Sequence, residues 1–306
     1  MGFRYLLRRL ALMVPVFFLV VTVIFFMIRF APGGPFSSDR NVSPEIMRNL
    51  EAKYHMDEPL MQQYFRYLND LIHLDLGPSF KHANRTVNEI IGEALPVSME
   101  LGFYSLVWAL VIGISAGMFA ALKPNTLFDY IPMSISILGI CLPTFVIGPA
   151  MILVFSLWLG WLPVAGWDSW QDRILPSLTL GFAYAAYISR LTRGGFMEIR
   201  SQDFIRTARA KGLSEGKILV KHALRGGILP VVSYLGPALA GIITGALVTE
   251  SIFAIPGLGR FFVESATNRD YTVVMGTSLL YFTLIFVCNL LVDILYVVLD
   301  PRVKYE

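Results

Sequence analysis

The sequence predicts an all-α polytopic membrane protein with six transmembrane helices. Of its 306 residues, 55% are hydrophobic and only 15% are charged, which is far more apolar than a soluble domain of this size needs to be. About 20 apolar residues suffice to cross the hydrocarbon core of a bilayer. Runs without a charged residue therefore predict the spans, and they cover residues 10–28, 101–122, 130–167, 174–189, 226–249 and 271–292.

The first span follows a basic N-terminus. Arg4, Arg8 and Arg9 precede it, which is also how a secretory signal peptide begins. The apolar run is too long for a signal peptide and no small-x-small cleavage site follows, so we expect it to be retained as a span. The positive-inside rule places these arginines in the cytoplasm, and six spans return the C-terminus, with Arg302 and Lys304, to the same side.

The segment after the first span, residues 31–98, lies outside on this topology. It carries nine Asp and Glu against six Lys and Arg. Apolar residues recur at helical spacing over residues 44–55 and 59–73. Thr86-Val87-Asn88-Glu89 has the form of a capping box and predicts a third short helix. We therefore expect a small helical extracytoplasmic segment.

Prolines and glycines interrupt the later spans. The run 130–167 is too long for one straight helix, contains Pro143 and Pro149, and is expected to leave the membrane at the turn Gly160-Trp-Leu-Pro163. The run 174–189 is short, so its helix is expected to take in residues around Arg190. Pro230 and Pro237 fall at the start and inside of the fifth span. Each proline has two interpretations, a kink for packing or a part of a pathway.

Small residues inside the spans predict close packing. The pairs Gly113-x-x-x-Gly117 and Gly241-x-x-x-Gly245 permit close approach between helices, either within the chain, which we favour, or with another chain. The two cysteines, Cys141 and Cys288, fall inside spans and predict small buried hydrophobic side chains rather than a disulfide.

The sequence contains no recognisable catalytic or metal-binding constellation. His55, His73 and His82 lack the i, i+4 spacing of a metal-binding helix, and His222 stands alone in a basic loop. The stretch from Gly212 to Lys217 differs from a phosphate-binding loop, because one residue too few separates its glycines and Ile218 follows the lysine. We therefore expect neither enzymatic activity nor a cofactor in this chain.

Charged residues near membrane depth are few. They are Arg29, Arg190, Glu250 and Asp293. The first three lie at span ends, where hydration is cheap, and Asp293 lies within about two turns of the inner end. A proton or ion relay needs several deeper carboxylates, so an ion-coupled secondary transporter is the less favoured alternative.

The stretch 198–230 is the longest strongly basic polar run between two spans. Residues 190–225 hold nine Lys and Arg against three Asp and Glu, and the topology places them inside. We predict a helix over residues 203–211, with Phe204, Ile205 and Ala208 toward one side, ended by Gly212 in the left-handed conformation with Leu213 covering Ala208. Ser214 would then cap a second helix, which contains Ile218, Leu219 and Leu224.

Three partners could use this basic hairpin. Anionic lipid would be attracted by about 1 kcal/mol per Lys or Arg, but lipid attraction does not require a capped helix-glycine-helix shape. Nucleic acid is not expected on a short loop tethered to a membrane. Docking of a cytoplasmic protein explains both the charge and the shape.

Arg206-Thr-Ala-Arg-Ala-Lys-Gly212, followed by Lys221-His-Ala-Leu224, resembles the cytoplasmic loop of permease subunits in ATP-driven binding-protein-dependent importers, in the form found in the peptide and nickel family. Arg206, Thr207 and Ala208 stand where the general motif has Glu-Ala-Ala, and Gly212 is its glycine. The later Ile-x-Leu-Pro falls on His222-Ala-Leu-Arg225, so the glutamate and the proline of the general motif are absent. The peptide-family form commonly has the sequence found here. The resemblance implies ATPase-coupling roles for Arg206, Thr207, Ala208, Arg209, Ala210, Lys211, Gly212, Leu213, Ser214 and His222.

The resemblance extends over nearly the whole chain. It is carried by Ala31-Pro-Gly-Gly-Pro-Phe36, Leu50-Glu-Ala-Lys-Tyr-His55, Gly77-Pro-Ser-Phe-Lys81, Pro256-Gly-Leu-Gly259, Arg269-Asp-Tyr271 and Asp300-Pro-Arg302. The first three favour the B-type subunit of the oligopeptide branch over the dipeptide, nickel or glutathione branches. The implied architecture is the type I ABC importer permease fold in the bacterial cytoplasmic membrane. Its parts would be residues 1–30 (N-terminal tip and first span), 31–98 (extracytoplasmic segment), 99–300 (permease core with coupling loop 194–227) and 301–306 (cytoplasmic tail).

The resemblance also implies a complex that works by alternating access. Its other members would be a homologous second permease subunit, two cytoplasmic ATPase subunits that hold ATP and Mg, and an extracytoplasmic peptide-binding protein. The outer segment and residues 250–270 would meet the binding protein. We expect contact with membrane lipid and none with nucleic acid, and the sequence leaves the residues of the translocation path open.

Overall fold

The computed structural model describes residues 3–31, 34, 48–49, 52–82 and 84–299. These residues form α-helices joined by short turns and by pieces of π- and 3₁₀-helix. The helices are α1 Phe3–Phe30, α2 Leu60–Ile72, α3 Val87–Leu122, α4 Leu127–Cys141, α5 Thr144–Met151, α6 Ile174–Arg200, α7 Asp203–Ala210, α8 Glu215–Ile218, α9 Leu224–Gly227, α10 Leu229–Ile252, α11 Leu258–Asn268 and α12 Tyr271–Leu299. The predicted all-α class is confirmed.

Within the described ranges, four helical stretches are long and apolar enough to cross a membrane alone. They are Ala11–Phe30 in α1, α3, α10 and Tyr271–Leu291 in α12. α4 and α5, which a break bends by 114°, add a fifth if the pair forms one span. α6 has 27 residues but mixes apolar with hydroxyl-bearing and basic side chains. Because most of its hydroxyl groups are buried against other helices, α6 does not need the composition of a lipid-facing helix. The count of six spans stays a prediction.

Chain contacts divide the fold into two compact units. Of the described residues, the first unit contains those up to Pro96 together with Arg260–Thr283, and the second contains Val97–Gly259 and residues 284–299. The core of the first unit includes Val87 and Ile90 buried against Val273. In the second unit, α6 packs against α4, α5, α9 and α10 and is its central helix. The division predicted at residues 30, 98 and 300 stays a prediction.

The predicted capping box is present at the start of α3. The Thr86 N–H donates to Glu89 Oε2 at 3.0 Å, and the Glu89 N–H donates to Thr86 Oγ1 at 3.2 Å. The short third helix is nevertheless wrong, because the helix that this box begins continues for 36 residues into the second span. Its first turns bury Val87 and Ile90, and the helix continues through Gly92 and Pro96 instead of ending at either of them.

Of the two other helices predicted in the outer segment, only one lies wholly within the described residues. The helix predicted over residues 59–73 is confirmed as α2, Leu60–Ile72. Half of the helix predicted over residues 44–55 lies outside the described residues, as do most of the motif at residues 31–36 and all of the C-terminal residues 300–306.

The interruption predicted at Pro143 is confirmed. Leu142 has φ −86° and ψ 124°, the extended conformation that a following proline favours, and α5 begins directly after Pro143. Pro149 lies inside α5, which continues as the π-helix Ile152–Trp158. The chain then leaves this helix at Gly160, whose φ is 62°, as the sequence predicted.

The glycine pair of α3 packs within the chain. A Cβ on Gly113 would lie 2.6 Å from the Ala185 carbonyl oxygen, and one on Gly117 would lie closer still to the Ser189 carbonyl oxygen. α3 and α6 therefore touch along their backbones, which confirms the intramolecular interpretation for this pair. A Cβ on Gly241 of α10 would meet the Tyr184 hydroxyl of α6 at 2.5 Å, so this glycine also serves packing inside the chain.

The cysteine prediction is half wrong. Cys141 ends α4 and is exposed, and Cys288 in α12 is half-buried. The buried residues of α4 are Asp129, Ser136 and Gly139, which share one side of the helix, and helical spacing places position 141 on the opposite side. Both thiols are free.

Candidate functional site

The basic stretch folds as the predicted helical hairpin. α7 ends at Ala210, and Gly212 adopts φ 77°. The Gly212 N–H donates to the Arg209 carbonyl at 2.9 Å, and the Leu213 N–H donates to the Ala208 carbonyl at 3.3 Å. These two bonds form a Schellman motif, so the glycine stop is confirmed.

The underside of the hairpin is a small apolar core. Leu213 packs over a buried cluster that unites α7, α8 and the π-helix Leu219–Ala223 with the ends of α3 and α6, and its members are Ala121, Phe196, Ile205, Ala208, Ile218 and Ala223. Phe204 was predicted to lie on the same side of the helix as Ile205 and Ala208. It does not join them in the buried cluster, and its side chain is 46% exposed. The short helix α7 buries one face, and position 204 lies at the edge of that face.

Ion pairs brace the hairpin from the side. Arg209 binds Glu215 through two bonds, of 2.5 and 3.1 Å, across the glycine turn. The Arg209 guanidinium holds the pKa of the Glu215 carboxyl below its ordinary value, chiefly through this hydrogen bonding. Arg200 lies 3.7 Å from the same carboxylate and donates to the Ala121 and Leu122 carbonyls at 3.0 and 3.3 Å, which caps the end of α3.

The structure sorts the predicted coupling residues into two groups. The outward group is exposed and consists of Arg206, Thr207, Ala210, Lys211, Gly212 and Ser214. The inward group is buried or half-buried and consists of Ala208, Arg209, Leu213 and His222. The second helix begins at Glu215 directly after Ser214, as predicted, but passes through a π-helical segment before α9. Ala208 and Leu213 shape the turn through the buried cluster, and Arg209 shapes it through its bonds to Glu215, whereas His222 is half-buried.

The exposure of two apolar side chains on the hairpin was not predicted from the sequence. Phe204 is 46% and Val220 58% exposed, and both lie on the hairpin near the outward group. The available signal was weak, since an apolar residue in an amphipathic helix is usually assigned to its buried face.

A buried ion pair anchors the neighbouring turn. Asp129, in the first turn of α4, accepts Arg193 Nε at 2.5 Å and Nη2 at 2.7 Å, and it also accepts the Asn125 N–H at 2.9 Å. The Asp129 side chain is only 2% exposed. The pair joins the start of α4 to α6 two turns before the hairpin begins, and neither residue was predicted to have this role.

The prediction for Glu250 is wrong. Glu250 was expected to be hydrated at a span end, but it is fully buried. Its carboxylate accepts the Ser98 hydroxyl at 2.6 Å and the Gly259 N–H at 2.7 Å. The chain folds back after α10, through Pro256 and Gly257, and encloses the carboxylate. Glu250 thereby ties this return loop to α3.

Asp270 has the same kind of role in the first unit. It is fully buried and accepts the Ser79 hydroxyl, the Phe80 and Lys81 N–H groups at 3.1 and 3.2 Å, and the Thr272 hydroxyl at 3.0 Å. These bonds fix the loop before α3 to the start of α12. Among the described residues, no group of three or more His, Cys, Asp or Glu side chains could hold a metal ion.

Two family models match the chain. The model described as "Binding-protein-dependent transport system inner membrane component" covers residues 113–305, and its N-terminal companion covers residues 2–102. The chain belongs to this family. It is a multi-pass membrane component of a transport system, and the matched region includes the whole hairpin.

Curated relatives are similar in sequence to this chain over its full length. The chain is 48% identical to "Oligopeptide transport system permease protein OppB" of Haemophilus influenzae, with 99% of both chains covered. It is 46% identical to the protein of the same name in Salmonella typhimurium, again with 99% of both chains covered. It is 43% identical to "Dipeptide transport system permease protein DppB" of Bacillus subtilis, with 98% of each chain covered.

Solved structures support the fold. A chain of the MetNI methionine ABC transporter in an inward-facing conformation superposes with a TM-score of 0.58 at 16% identity, covering 69% of this chain and 96% of that one. A chain of an amino acid ABC transporter crystallised with histidines gives a TM-score of 0.53 at 15% identity, covering 68% and 93%. The permease-like fold implied by the sequence resemblance is confirmed.

Proposed function

We propose that this chain is the membrane-spanning permease subunit of an ATP-driven importer that carries oligopeptides across the bacterial cytoplasmic membrane by alternating access. The two relatives at 46–48% identity that are named as oligopeptide permeases support this substrate class. Import of dipeptides is the alternative, which the 43% identical relative supports. Both termini and the hairpin would face the cytoplasm, because the hairpin carries the strongest basic excess in the chain.

The observation that carries the coupling role is the rigid hairpin with an exposed cationic edge. Arg206, Lys211, Lys217 and Lys221 are exposed, while the underside is buried against α3 and α6. A partner that pushes on this edge would move both helices, since the apolar core and the Schellman turn leave the hairpin little freedom to bend by itself. The exposed cations favour an acidic groove on that partner.

The partners follow from this role. Two cytoplasmic ATPase subunits would bind ATP and Mg and close on the hairpin, and this chain would bind neither. A homologous second permease would complete a heterodimer, and an extracytoplasmic binding protein would deliver the peptide. The ten predicted coupling residues would divide as the structure divides them, with the outward group in contact with the ATPase and the inward group holding the shape.

Adjacent positions on α7 offer a matched test of docking. Thr207 is exposed and Ala208 is 6% exposed, so one residue separates a contact position from a shape position. In a background where Cys141 and Cys288 are replaced by alanine, we expect Thr207→Cys to be cross-linked to the ATPase subunit by a short thiol reagent. We expect Ala208→Cys to remain unlinked at equal complex levels. Equal linking at both positions, or none at Thr207, would contradict the docking role.

The rival class is an ion-coupled secondary transporter. We expect uptake into proteoliposomes to require ATP and the ATPase subunits, and to continue when ion gradients are collapsed. Uptake by the isolated chain that follows an ion gradient would overturn the proposal.

A further inference from the structure

A second candidate site lies in the first unit. It is a partly open cavity of about 160 Å³, lined by the end of α1, by residues 53–55 before α2, by α2, by the loop that follows α2 and by the start of α12. This volume is far above the ~15 Å³ that a single water molecule needs. The aromatic rings of Phe25, Tyr54 and Phe80 form part of the wall. The cavity therefore has room for a small molecule.

Three side chains around the cavity carry a buried polar atom that has no hydrogen-bond partner among the described residues. The atoms are Arg29 Nε, the Tyr67 hydroxyl and Gln63 Oε1. Gln63 is only 7% exposed, and its Nε2 already donates to the Met56 and Glu58 carbonyls at 3.1 and 2.7 Å. Buried polar groups are bonded in the great majority of cases, so three such atoms around one cavity indicate an occupant.

Arg29 determines the charge of that occupant. Its guanidinium lies over the Phe25 ring, with 5.4 Å between Cζ and the ring centroid, and it forms no ion pair with a carboxylate in the described part of the chain. A guanidinium presents parallel N–H donors that match the two oxygens of a carboxylate or phosphate. Water could bond to one N–H but carries no charge to pair with the guanidinium. An oxyanion satisfies both.

Gln63 determines a second property of the occupant. Its free Oε1 can only accept a hydrogen bond. Asp70 and Asp75 also line the cavity, and they too offer acceptor oxygens. A molecule that fits the whole cavity therefore carries an N–H or O–H donor as well as an oxyanion.

We propose that this cavity binds a small molecule through a carboxylate or phosphate group held by Arg29 and the Tyr67 hydroxyl, with a donor of the same molecule bonded to Gln63. Burial raises the pKa of Tyr67 above its ordinary value, so the hydroxyl stays protonated and can donate. The oxyanion has three sources that share this chemistry: inorganic phosphate, the carboxylate end of a peptide, and a lipid headgroup. The site is independent of the hairpin, and it stands if the coupling role fails.

The test compares probes on the full-length chain in lipid nanodiscs. Calorimetric titrations use inorganic phosphate, trialanine and the C-terminal amide of trialanine, and mass spectrometry identifies the lipids that the chain retains in detergent. We expect Arg29→Met to lower the affinity for whichever probe binds by about tenfold or more, because a charge-assisted pair of hydrogen bonds is lost. Arg29→Lys keeps the charge without the planar guanidinium group, so its affinity for the probe should lie between those of the wild type and Arg29→Met. Lys123→Met, which removes an exposed cation from the inner turn, should bind like the wild type.

Each outcome decides the proposal or its source. Binding of trialanine but not of its amide identifies a peptide carboxylate, binding of phosphate alone identifies phosphate, and a phospholipid retained by the wild type but lost in Arg29→Met identifies a headgroup. The proposal is overturned if no probe and no lipid distinguishes the wild type from Arg29→Met. Should that variant fail to fold, Tyr67→Phe makes the same comparison, and an unchanged affinity for every probe would overturn the assignment.

Discussion

Replacement of Gly212 tests both the shape and the charge of the hairpin. Gly212 has φ 77°, and a Cβ built on it would meet no atom within 4 Å. The penalty for alanine is therefore conformational rather than steric, and amounts to about 1–2 kcal/mol. Such a penalty lowers the population of the formed turn by about 5- to 30-fold relative to its alternatives. Asparagine and aspartate tolerate the left-handed conformation better, and they differ from each other only in charge.

The three variants therefore form a graded series. We expect Gly212→Asn to transport close to wild-type rates, Gly212→Ala to transport more slowly, and Gly212→Asp to lose coupling because it places a negative charge on a cationic docking edge. The assay is ATP-driven peptide uptake into proteoliposomes, together with the ATP hydrolysis rate and the amount of assembled complex. Normal uptake by Gly212→Asp at normal complex levels would refute the docking argument. Normal uptake by Gly212→Ala would show that the ordered turn is not needed.

Three further predictions concern contacts that the structure revealed. Gly117→Ala should lower the free energy of unfolding of the purified chain by about 1–3 kcal/mol in a thermal melting assay, since its Cβ would press on the backbone of α6. Gly92 lies in the same helix, where a Cβ meets no atom within 4 Å, so Gly92→Ala should leave the free energy of unfolding unchanged or raise it. Glu250→Ala should cost about 2–4 kcal/mol in the same melting assay, because it leaves buried donors without an acceptor. Acidification should loosen the hairpin, seen as lower protection factors for amide hydrogen exchange over residues 203–218, which correct for the intrinsic exchange rate at each pH, and Glu215→Gln should remove this pH dependence of the protection factors.

The sign of the pH effect follows from the lowered pKa of Glu215. A carboxyl whose pKa is depressed in the folded state contributes stability above its ordinary pKa, and this contribution is lost as the pH falls through the lowered value. Protection factors that are independent of pH in the wild type, or equally dependent on pH in Glu215→Gln, would contradict the role of the Arg209 pair. Likewise, equal melting of Gly117→Ala and Gly92→Ala would contradict the close contact between α3 and α6.

Features that depend on a few neighbouring residues were predicted well. The capping box at Thr86 and Glu89, the break at Pro143 and the glycine stop at Gly212 each follow from short-range backbone rules, and all three are present. The hairpin shape was predictable for the same reason. The short outer helix before the second span was wrong because the box shows where a helix begins and says nothing about where it ends.

Features that depend on which surfaces meet were not predicted. Glu250 looks like a hydrated span end in the sequence, yet the return loop through Gly257 encloses it. The cavity around Arg29 unites residues from α1, α2 and α12, which are far apart along the chain.

The sequence by itself determined that the chain is an apolar, helical membrane protein with a basic, glycine-stopped hairpin, because hydropathy, charge and backbone preference are local properties. Tertiary structure alone decided which residues of that hairpin are exposed, which helix the glycines of α3 approach, and which carboxylates are buried. The physical reason is that a residue becomes buried only when another surface packs against it. That surface usually comes from a distant part of the chain, so a single stretch of sequence does not reveal it.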